Sequence, residues 1–419
     1  VTALQATWLA GAATVVLPLP MRLSSIEEFI AQTRVRLRSS ESVITLIDAD
    51  LAAFITPEPA DPPMVGFEEI QADAARLGSG VFRRPDDDPD RLAILQFTSG
   101  STDSPKGVTV LQRNLVANLD AIQERTRFVP DTDRLVSWLP LYHDMGLIGV
   151  LGLTMYSGAG MVLAAPQDFM AHPARWMQWI SDYQGTATAG PNFAYVLATR
   201  GMNNADEPLD LSSLRVALNG AEPIDPGAMR AFVEAGARHQ LNPGAVVPAF
   251  GMDETTIAGS FPDPGQGLRV DVVDATVLEN ERYAASVPAD HPSARELVIL
   301  GRAMDGLEFR ITDSETGRVL AERDVGELEI RGSSVTAQYY NDRQRTHEAF
   351  RDDWFRTGDL AYLVDGQLVL CGRIKDVIIV GGRNVYPQDI ERAAGEIEGV
   401  RTGNVIAFGM EGYKGKESV

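Results

Sequence analysis

The stretch that decides the fold is residues 92–107, which reads LAILQF followed by TSGSTDSPKG. Its first six residues, Leu92–Phe97, are almost all apolar and predict a buried strand. Residues 98–107 then place hydroxyls, backbone N–H groups and Lys106 directly at the strand end, where they can cradle an anion. The alternative is a solvated Ser/Thr/Gly loop, which is the commonest fate of such a composition. The order also differs from the Walker P-loop, which requires G-x-x-x-x-G-K-[ST].

Strands and helices alternate outward from this stretch. Apolar runs predict strands at residues 14–17, 42–47, 135–138, 160–163, 187–189 and 216–218, and helices at 3–10, 174–183 and after Asp144. This alternation is typical of an α/β fold with parallel layers. From residue 296 onward, short alternating strands predict a β-rich subdomain. We therefore expect three segments: the α/β part of a large domain (1–295), its β-rich subdomain (296–374), and a hinge with the start of a small mobile α+β domain (375–419).

The composition is that of a soluble globular enzyme, with 44% hydrophobic and 23% charged residues among 419. The formal net charge of −21 argues against nucleic acid and anionic membranes as partners, because both need concentrated Lys and Arg. The single cysteine, Cys371, fits a reducing compartment. The opening lacks the basic segment of a secretory signal, and no window reaches the roughly 18 apolar residues of a membrane span. We expect a cytoplasmic protein without stable membrane insertion.

Further polar motifs follow downstream. WLPLYHDMGL (138–147) closes a strand and opens an apolar helix that Asp144 could cap, and a histidine beside a cap, as His143 is, is ordinarily structural. NGAEP (219–223) alone predicts a turn. FGMDETT (250–256), WFRTGDL (354–360) and GRIKD (372–376) complete the set. The last could be a surface charge cluster on a turn, but its distance after TGD (357–359) favours a functional role.

These motifs, in this order, resemble the acyl- and aryl-adenylate-forming superfamily, which includes acyl-CoA synthetases, luciferases and the adenylation domains of peptide synthetases. The resemblance covers nearly the whole chain and implies ATP and Mg²⁺ as cofactors. It implies that the phosphates are held by Lys106 and by Thr98, Ser99, Gly100, Ser101 and Thr102.

The resemblance also assigns roles to the downstream motifs. His143 would guide the carboxylate of the acid, and Glu254 would hold Mg²⁺, which prefers oxygen ligands; with Lys106 these form the implied catalytic set. Asp359 would accept both ribose hydroxyls, Arg373 would reach the ribose or a phosphate, and Lys375 sits at the hinge. The remaining implied nucleotide contacts, with Phe250 stacking on adenine, are Gly220, Ala221, Glu222, Phe250, Gly251, Met252, Asp253 and Thr255.

Asp253 departs from the family pattern, where Thr or Ala is usual. A second carboxylate beside Glu254 could add a metal ligand or could repel the triphosphate, and both readings stay open.

Several stretches resemble the fatty acyl-AMP ligase branch: LPLYHDMGLIG (139–149), GPNFAY (190–195) and NVYPQDIE (384–391). That branch carries an extra segment where this chain has a long one, residues 257–300. We place the insertion at about 268–293, with a β-hairpin arm at 270–277. The alternative is an ordinary surface-loop expansion. The acyl pocket is expected among Met145, Leu147, Gly190 and Phe193, whose spacing also fits core packing.

The implied activity is attack of a fatty carboxylate on the α-phosphate of ATP, followed by transfer of the acyl group to the pantetheine arm of an acyl carrier protein. The alternatives are a fatty acyl-CoA synthetase and a non-catalytic adenylate-binding protein. We also expect both termini to be incomplete. In the family the chain continues past Val419 to a Pro-x-x-x-x-Gly-Lys segment whose lysine completes adenylation, so turnover without it would be impaired.

Overall fold

The computed structural model describes residues 1–19, 25–78, 80, 82–97, 106–380, 383–395, 397, 399–400, 405–411 and 417–418. The chain forms two compact units. Unit 1 contains Val1–Val116 and Thr336–His347, and unit 2 contains Ala117–Val335 and Glu348–Val419. These units do not coincide with the three segments expected above, which stay a prediction. In the described part of the chain, no helix has both the length and the apolar character needed to cross a membrane.

In unit 1, residues 92–97 form a strand, as predicted from their apolar run. Leu92–Phe97 (β3) lies antiparallel to Gly107–Leu111 (β4), with Phe97 opposite Gly107. The strand expected at residues 14–17 is wrong, since only Thr14 pairs, through a bridge to Ile94. The remaining elements of unit 1 are α1 (Thr2–Leu9), α2 (Ile26–Ser39), β1 (Thr45–Ile47), α3 (Ala49–Ala52), β2 (Met64–Gly66) and α4 (Phe67–Leu77).

Unit 2 is built on a parallel sheet with strand order β6-β5-β7-β8-β9. Fully buried side chains of the helices, including Trp176 and Phe232, contribute to its core. The elements of this part are α5 (Gln112–Thr126), β5 (Arg134–Ser137), α6 (Leu153–Ser157), β6 (Gly160–Leu163), α7 (Pro166–Ala171), α8 (Arg175–Asp182), β7 (Ala187–Gly190), α9 (Asn192–Asn203), β8 (Val216–Asn219), α10 (Pro226–Ala237), β9 (Val246–Pro248), β10 (Phe250–Gly251) and β11 (Ala258–Ser260). The α/β class predicted from the alternating pattern is confirmed.

An antiparallel sheet forms the expected β-rich part of unit 2. Its strand order is β14-β15-β17-β16, with β18 added to β17. The buried carboxylate of Glu329 receives Arg310 at 2.5 Å and Arg351 at 2.7 Å, so the charge inside the sheet is paired. The strands are β14 (Leu307–Thr312), β15 (Gly326–Gly332), β16 (Phe350–Arg351), β17 (Trp354–Val364) and β18 (Gln367–Arg373), and α12 (Arg343–Ala349), most of which belongs to unit 1, precedes β16.

The segment at residues 268–293 does not form the hairpin arm expected at 270–277. Val270–Asp274 (β12) pairs antiparallel with Ala294–Val298 (β13), and Ala275–Glu281 (α11) begins immediately after β12. The Asp274 carboxylate accepts the N–H of Thr276 at 2.8 Å and so caps this helix instead of opening a turn. The segment is therefore part of a buried core, in which Val273 and Leu278 are fully covered.

The chain after β18 continues as a short 3-10 turn, Ile374–Asp376, and then β19 (Ile378–Val380), β20 (Arg383–Val385), α13 (Pro387–Gly395), β21 (Met410–Glu411) and β22 (Glu417–Ser418). Buried Tyr386 packs into the same core cluster as Val273 and Leu278. The Arg295 guanidinium on β13 lies 2.8 Å from the carboxylate of Asp389 on α13. The residues after the expected hinge therefore contact the 268–298 region.

Candidate active site

The loops that follow the parallel strands bring several of the predicted motifs to one edge of the sheet. The N–H of Gly220 donates to the carbonyl of Gly190 at 3.4 Å, and the N–H of Ala249 donates to that of Asn219 at 2.7 Å. The turns after β7, β8 and β9 are therefore neighbours. Ligands of open α/β sheets bind outside the carboxyl ends of the strands, and this edge is that position.

His143 lies at the same edge, in the loop after β5, and its partner is its neighbour in sequence. Asp144 accepts the N–H of Met145 at 2.7 Å and caps the π-helical segment Met145–Gly152, which confirms the predicted cap. The Asp144 carboxylate also pairs with Nδ1 of His143. This hydrogen bond raises the pKa of the His143 imidazole against the opposing effect of burial. Since 53% of the His143 side chain is exposed, a ligand carboxylate can reach it.

The motif FGMDETT forms a tight loop that starts at β10 and ends at β11. The N–H of Met252 donates to the carbonyl of Ile257 at 3.0 Å, and Asp253–Thr255 form a 3-10 turn between them. A side chain at Gly251 would collide with the Ile257 carbonyl oxygen, so the loop can close only on glycine. Glu254 on this turn is only 7% exposed.

Carboxylates crowd this part of unit 2. Burial raises the pKa of Asp253 well above its usual range, and the charges of Asp144 and Glu254 and a hydrogen bond to Asp144 raise it further. Burial likewise raises the pKa of Asp359 to about 6, with Arg373 opposing the shift and Glu254 adding to it. The site therefore disfavours the ionised carboxylates, and a bound cation would favour them.

The donor set fits Mg²⁺ that is shared with a ligand. Among the described residues, no group of three or more His, Cys, Asp or Glu stands close enough to hold an ion alone. Mg²⁺ is usually bound by one or two carboxylates together with substrate phosphates and water, and Glu254 with Asp253 can supply such carboxylates.

Asp359 and Arg373 come together across two antiparallel strands. They are directly opposite in the β17–β18 ladder, and the Nε of Arg373 lies 3.1 Å from the Asp359 carboxylate. The Asp359 carboxylate is largely covered, whereas about half of the Arg373 side chain is exposed. An ionised carboxylate beside an exposed guanidinium can accept hydroxyls and receive an anion.

The NGAEP turn has a structural component that the motif alone did not indicate. The carboxylate of Glu222 accepts the N–H of Phe193 at 2.7 Å, at the start of α9. Ala221 has φ of 70°, a left-handed backbone that is uncommon for any residue other than glycine. Glu222 therefore fixes the end of β8 against α9.

Two residues of the FGMDETT loop differ from the simple expectation of nucleotide contact. Thr255 is fully buried, and its hydroxyl donates to the Met252 carbonyl at 3.0 Å, so it shapes the loop. The Phe250 ring is 8% exposed and packs edge-on against Phe309 at 6.5 Å between centroids. Stacking of Phe250 on adenine stays a prediction, as does a nucleotide contact by the half-buried Met252.

The remaining predicted site residues are divided among several places. Thr98, Ser99, Gly100, Ser101 and Thr102 lie outside the described residues. Lys106 belongs to unit 1, where its ammonium lies 5.4 Å from the centre of the Tyr339 ring. Lys375 is exposed on the turn Ile374–Asp376, and its role as a hinge stays a prediction.

The four residues proposed for the acyl pocket have different environments. Met145 and Leu147 are buried within the π-helical segment, and Gly190 lies so close to Trp176 that a Cβ would be 2.8 Å from its ring. Phe193 remains 42% exposed beside Trp138, with 6.3 Å between ring centroids. Phe193 is therefore the member of this set whose surface a ligand can reach most readily.

Sequence reasoning overlooked Asn118 on α5. It is fully buried, and its amide bonds to the residues that follow Glu254. The available signal was a polar side chain inside a helix whose neighbours Leu119 and Ile122 are buried, since buried polar groups require partners.

Residues 1–340 match the AMP-binding enzyme family. The chain belongs to that family and is an adenylate-forming enzyme, a class that uses ATP. The fold agrees, since a structure from studies of fatty acyl-adenylate ligases of E. coli and L. pneumophila superposes with a TM-score of 0.86. That structure is 32% identical, over 94% of this chain and 71% of its own.

Similar curated proteins place the chain close to fatty acyl-AMP ligases. "Putative ligase Rv1013" of Mycobacterium tuberculosis is 40% identical over 99% of this chain and 75% of its own length. The medium-chain-fatty-acid–[acyl-carrier-protein] ligase JamA of Moorena producens is 37% identical over 75% of this chain and 54% of its own. The long-chain-fatty-acid–AMP ligase FadD32 of Mycobacterium marinum is 34% identical over 83% of this chain and 58% of its own length.

Proposed function

We propose that the protein activates a fatty acid with ATP, giving acyl-AMP and pyrophosphate. The observation that carries this proposal is the grouping, within one unit, of the His143 imidazole paired with Asp144, a buried Glu254 and the Asp359–Arg373 pair, all linked by hydrogen bonds or electrostatic interactions. This set matches the three parts of the reactants, namely a carboxylate, a metal-bound phosphate and a ribose. The similarity to FadD32 supports a fatty acid as the substrate.

The proposed chemistry is positioning and charge neutralisation. His143, whose pKa is raised by its bond to Asp144, holds the fatty carboxylate so that one oxygen attacks the α-phosphorus, and the bond to the pyrophosphate oxygen breaks. Glu254 would hold the metal, and Asp359 with Arg373 would hold the ribose. Bound Mg²⁺ would supply positive charge to the phosphates. The roles in phosphate binding that the resemblance implies for Lys106 and residues 98–102 stay predictions.

We further propose that the acyl group passes from AMP to the pantetheine thiol of an acyl carrier protein. JamA, which is similar to three quarters of this chain, acts on a carrier protein. The 268–298 region contacts the residues that follow Lys375, as the Arg295–Asp389 pair shows. We therefore propose that this region restrains the residues after the hinge at Lys375, and that their restricted movement disfavours transfer of the acyl group to free CoA.

The test is product analysis with the complete protein, ATP, Mg²⁺ and fatty acids of increasing chain length, first without and then with CoA. We expect pyrophosphate and acyl-AMP, with no acyl-CoA when CoA is added. Formation of acyl-CoA would instead establish a synthetase. Nucleotide binding without turnover on any acid would indicate a binding protein.

A further inference from the structure

The loop that carries Asp253 and Glu254 is held from outside by one buried amide, that of Asn118. Its Nδ2 donates to the carbonyl of Ala258 at 2.9 Å, and its Oδ1 accepts the N–H of Ala258 at 3.0 Å. The same Nδ2 lies 3.2 Å from the carbonyl of Thr255. A single side chain therefore satisfies both backbone groups of Ala258 and reaches the residue next to Glu254.

Ser334 fastens the loop at a second point. The Nδ2 of Asn118 lies 3.1 Å from the Ser334 hydroxyl, and the hydroxyl of Thr256 donates to the Ser334 carbonyl at 2.8 Å. Thr256 is 1% exposed and Ser334 is 2% exposed, so water does not compete for these bonds. Breaking one of them would leave a buried polar group without its partner, which is costly.

The residue held by this network has an unusual backbone. Thr256 has φ of 73° and ψ of −52°, a conformation that is rare for a β-branched side chain. Such a conformation is strained and persists only where its surroundings determine it. The strained position lies two residues after Glu254, so the bonds that maintain it also determine the path of the Glu254 backbone.

We propose that Asn118 is a positioning residue for Glu254, which fixes residues 252–258 in their strained form and thereby sets the affinity of the site for the metal–nucleotide complex. This inference rests on the proposed function, in which Glu254 holds Mg²⁺. Because Asn118 is fully buried, we propose that it acts through the loop alone. Groups that orient a metal ligand typically change metal affinity by about 10–100-fold when removed.

The test uses the complete protein and a readout independent of turnover, the rise in unfolding temperature caused by ATP as Mg²⁺ is titrated. We expect Asn118→Ala to raise the Mg²⁺ concentration for half-maximal stabilisation by about tenfold or more. Thr256→Val keeps the shape of the residue but removes its bond to Ser334, and a rise in the same direction is expected. The matched control is Thr126→Val, which removes a buried hydroxyl of α5, the helix of Asn118. Among the described residues this hydroxyl bonds to carbonyls of α5 itself.

A double variant separates positioning from general destabilisation. Adding Asn118→Ala to Glu254→Gln should cause no further rise in the Mg²⁺ requirement, because the side chain being positioned is already altered. A full additional rise would overturn the inference, as would a wild-type Mg²⁺ requirement in both Asn118→Ala and Thr256→Val. If the wild-type protein shows no Mg²⁺-dependent stabilisation by ATP, the proposed function fails and this inference fails with it.

Discussion

Asp359 combines a functional role with a cost to folding. Its carboxyl has a pKa of about 6 in the folded protein because it is buried, compared with about 3.9 in an unfolded chain. The folded state therefore binds this proton more tightly, and its stability falls as pH rises from about 4 to about 6. Above about pH 6 the Asp359 carboxylate is ionised in both states, so the free energy of unfolding is lowered by the full cost of burying this charge.

Asp359→Asn is expected to stabilise the protein and weaken nucleotide binding. At pH 8 the gain should approach about 3 kcal/mol, the equivalent of a shift of about two pKa units, and near pH 4 it should vanish. AMP affinity should fall by about tenfold or more, because a charged acceptor is lost. Urea unfolding at both pH values and AMP titration check this. Equal destabilisation at both pH values would contradict the assignment.

His143 should set an alkaline limit on activity. Its pKa is raised through Asp144, so the imidazolium that attracts a carboxylate persists to higher pH and is lost as pH rises through the folded pKa. Asp144→Asn retains a helix cap but removes the charge, so the limit should move to lower pH. The measurements are an NMR titration of His143 and the pH dependence of kcat/KM for the acid. An unchanged titration would show that Asp144 does not hold the proton.

The sequence predicts which residues belong to the site, but it predicts few of the contacts between them. His143, Glu254, Asp359 and Arg373 were located by motif, and the Asp359–Arg373 pair follows from two strands joined by a short turn. The hydrogen bond between Asp144 and Asp253 joins two loops that are far apart in sequence, so no local pattern indicates it. The same applies to Asn118 and Ala258, which lie 140 positions apart.

At the scale of elements, the loop from β10 to β11 requires glycine at position 251, because a side chain there would collide with the Ile257 carbonyl. Gly251→Ala should destabilise the protein by about 1–3 kcal/mol and weaken nucleotide binding, because the new methyl group displaces the Ile257 carbonyl. Gly160→Ala is the control, since the nearest atom to its Cβ would be 3.5 Å away in ordinary contact. Chemical denaturation and ATP titration check both. Wild-type behaviour of Gly251→Ala would exclude the tight closure of the loop.

Elements with sharp local boundaries could be predicted well. Leu92–Phe97 and Gly160–Leu163 match their expected bounds, since each is a short apolar run bounded by polar residues or glycine. The hairpin at residues 270–277 was wrong because the partner of β12 is β13, twenty residues further on, and the Asp274 cap starts a helix instead. At residues 14–17 an apolar run is present, but only Thr14 finds a pairing partner.

On the scale of the whole molecule, the 268–293 segment is tied into the β-rich part of unit 2. The Asp271 carboxylate receives Arg323 at 3.1 and 3.2 Å and the hydroxyl of Tyr362 at 2.7 Å. Asp271→Ala should cost about 2–3 kcal/mol, because bonds to a charged group are lost and Arg323 loses its carboxylate partner. Asp290→Ala, an exposed carboxylate of the same segment, is the control. Equal unfolding free energies for the two variants would show that the segment is only a surface expansion.

The most direct test of the central claim is fatty-acid-dependent exchange of labelled pyrophosphate into ATP by the complete protein, since only reversible acyl-AMP formation produces it. We predict exchange that requires both a fatty acid and Mg²⁺ and falls strongly in His143→Ala and Asp359→Asn. Exchange that is absent with every acid, or that proceeds unchanged in both variants, would contradict the account.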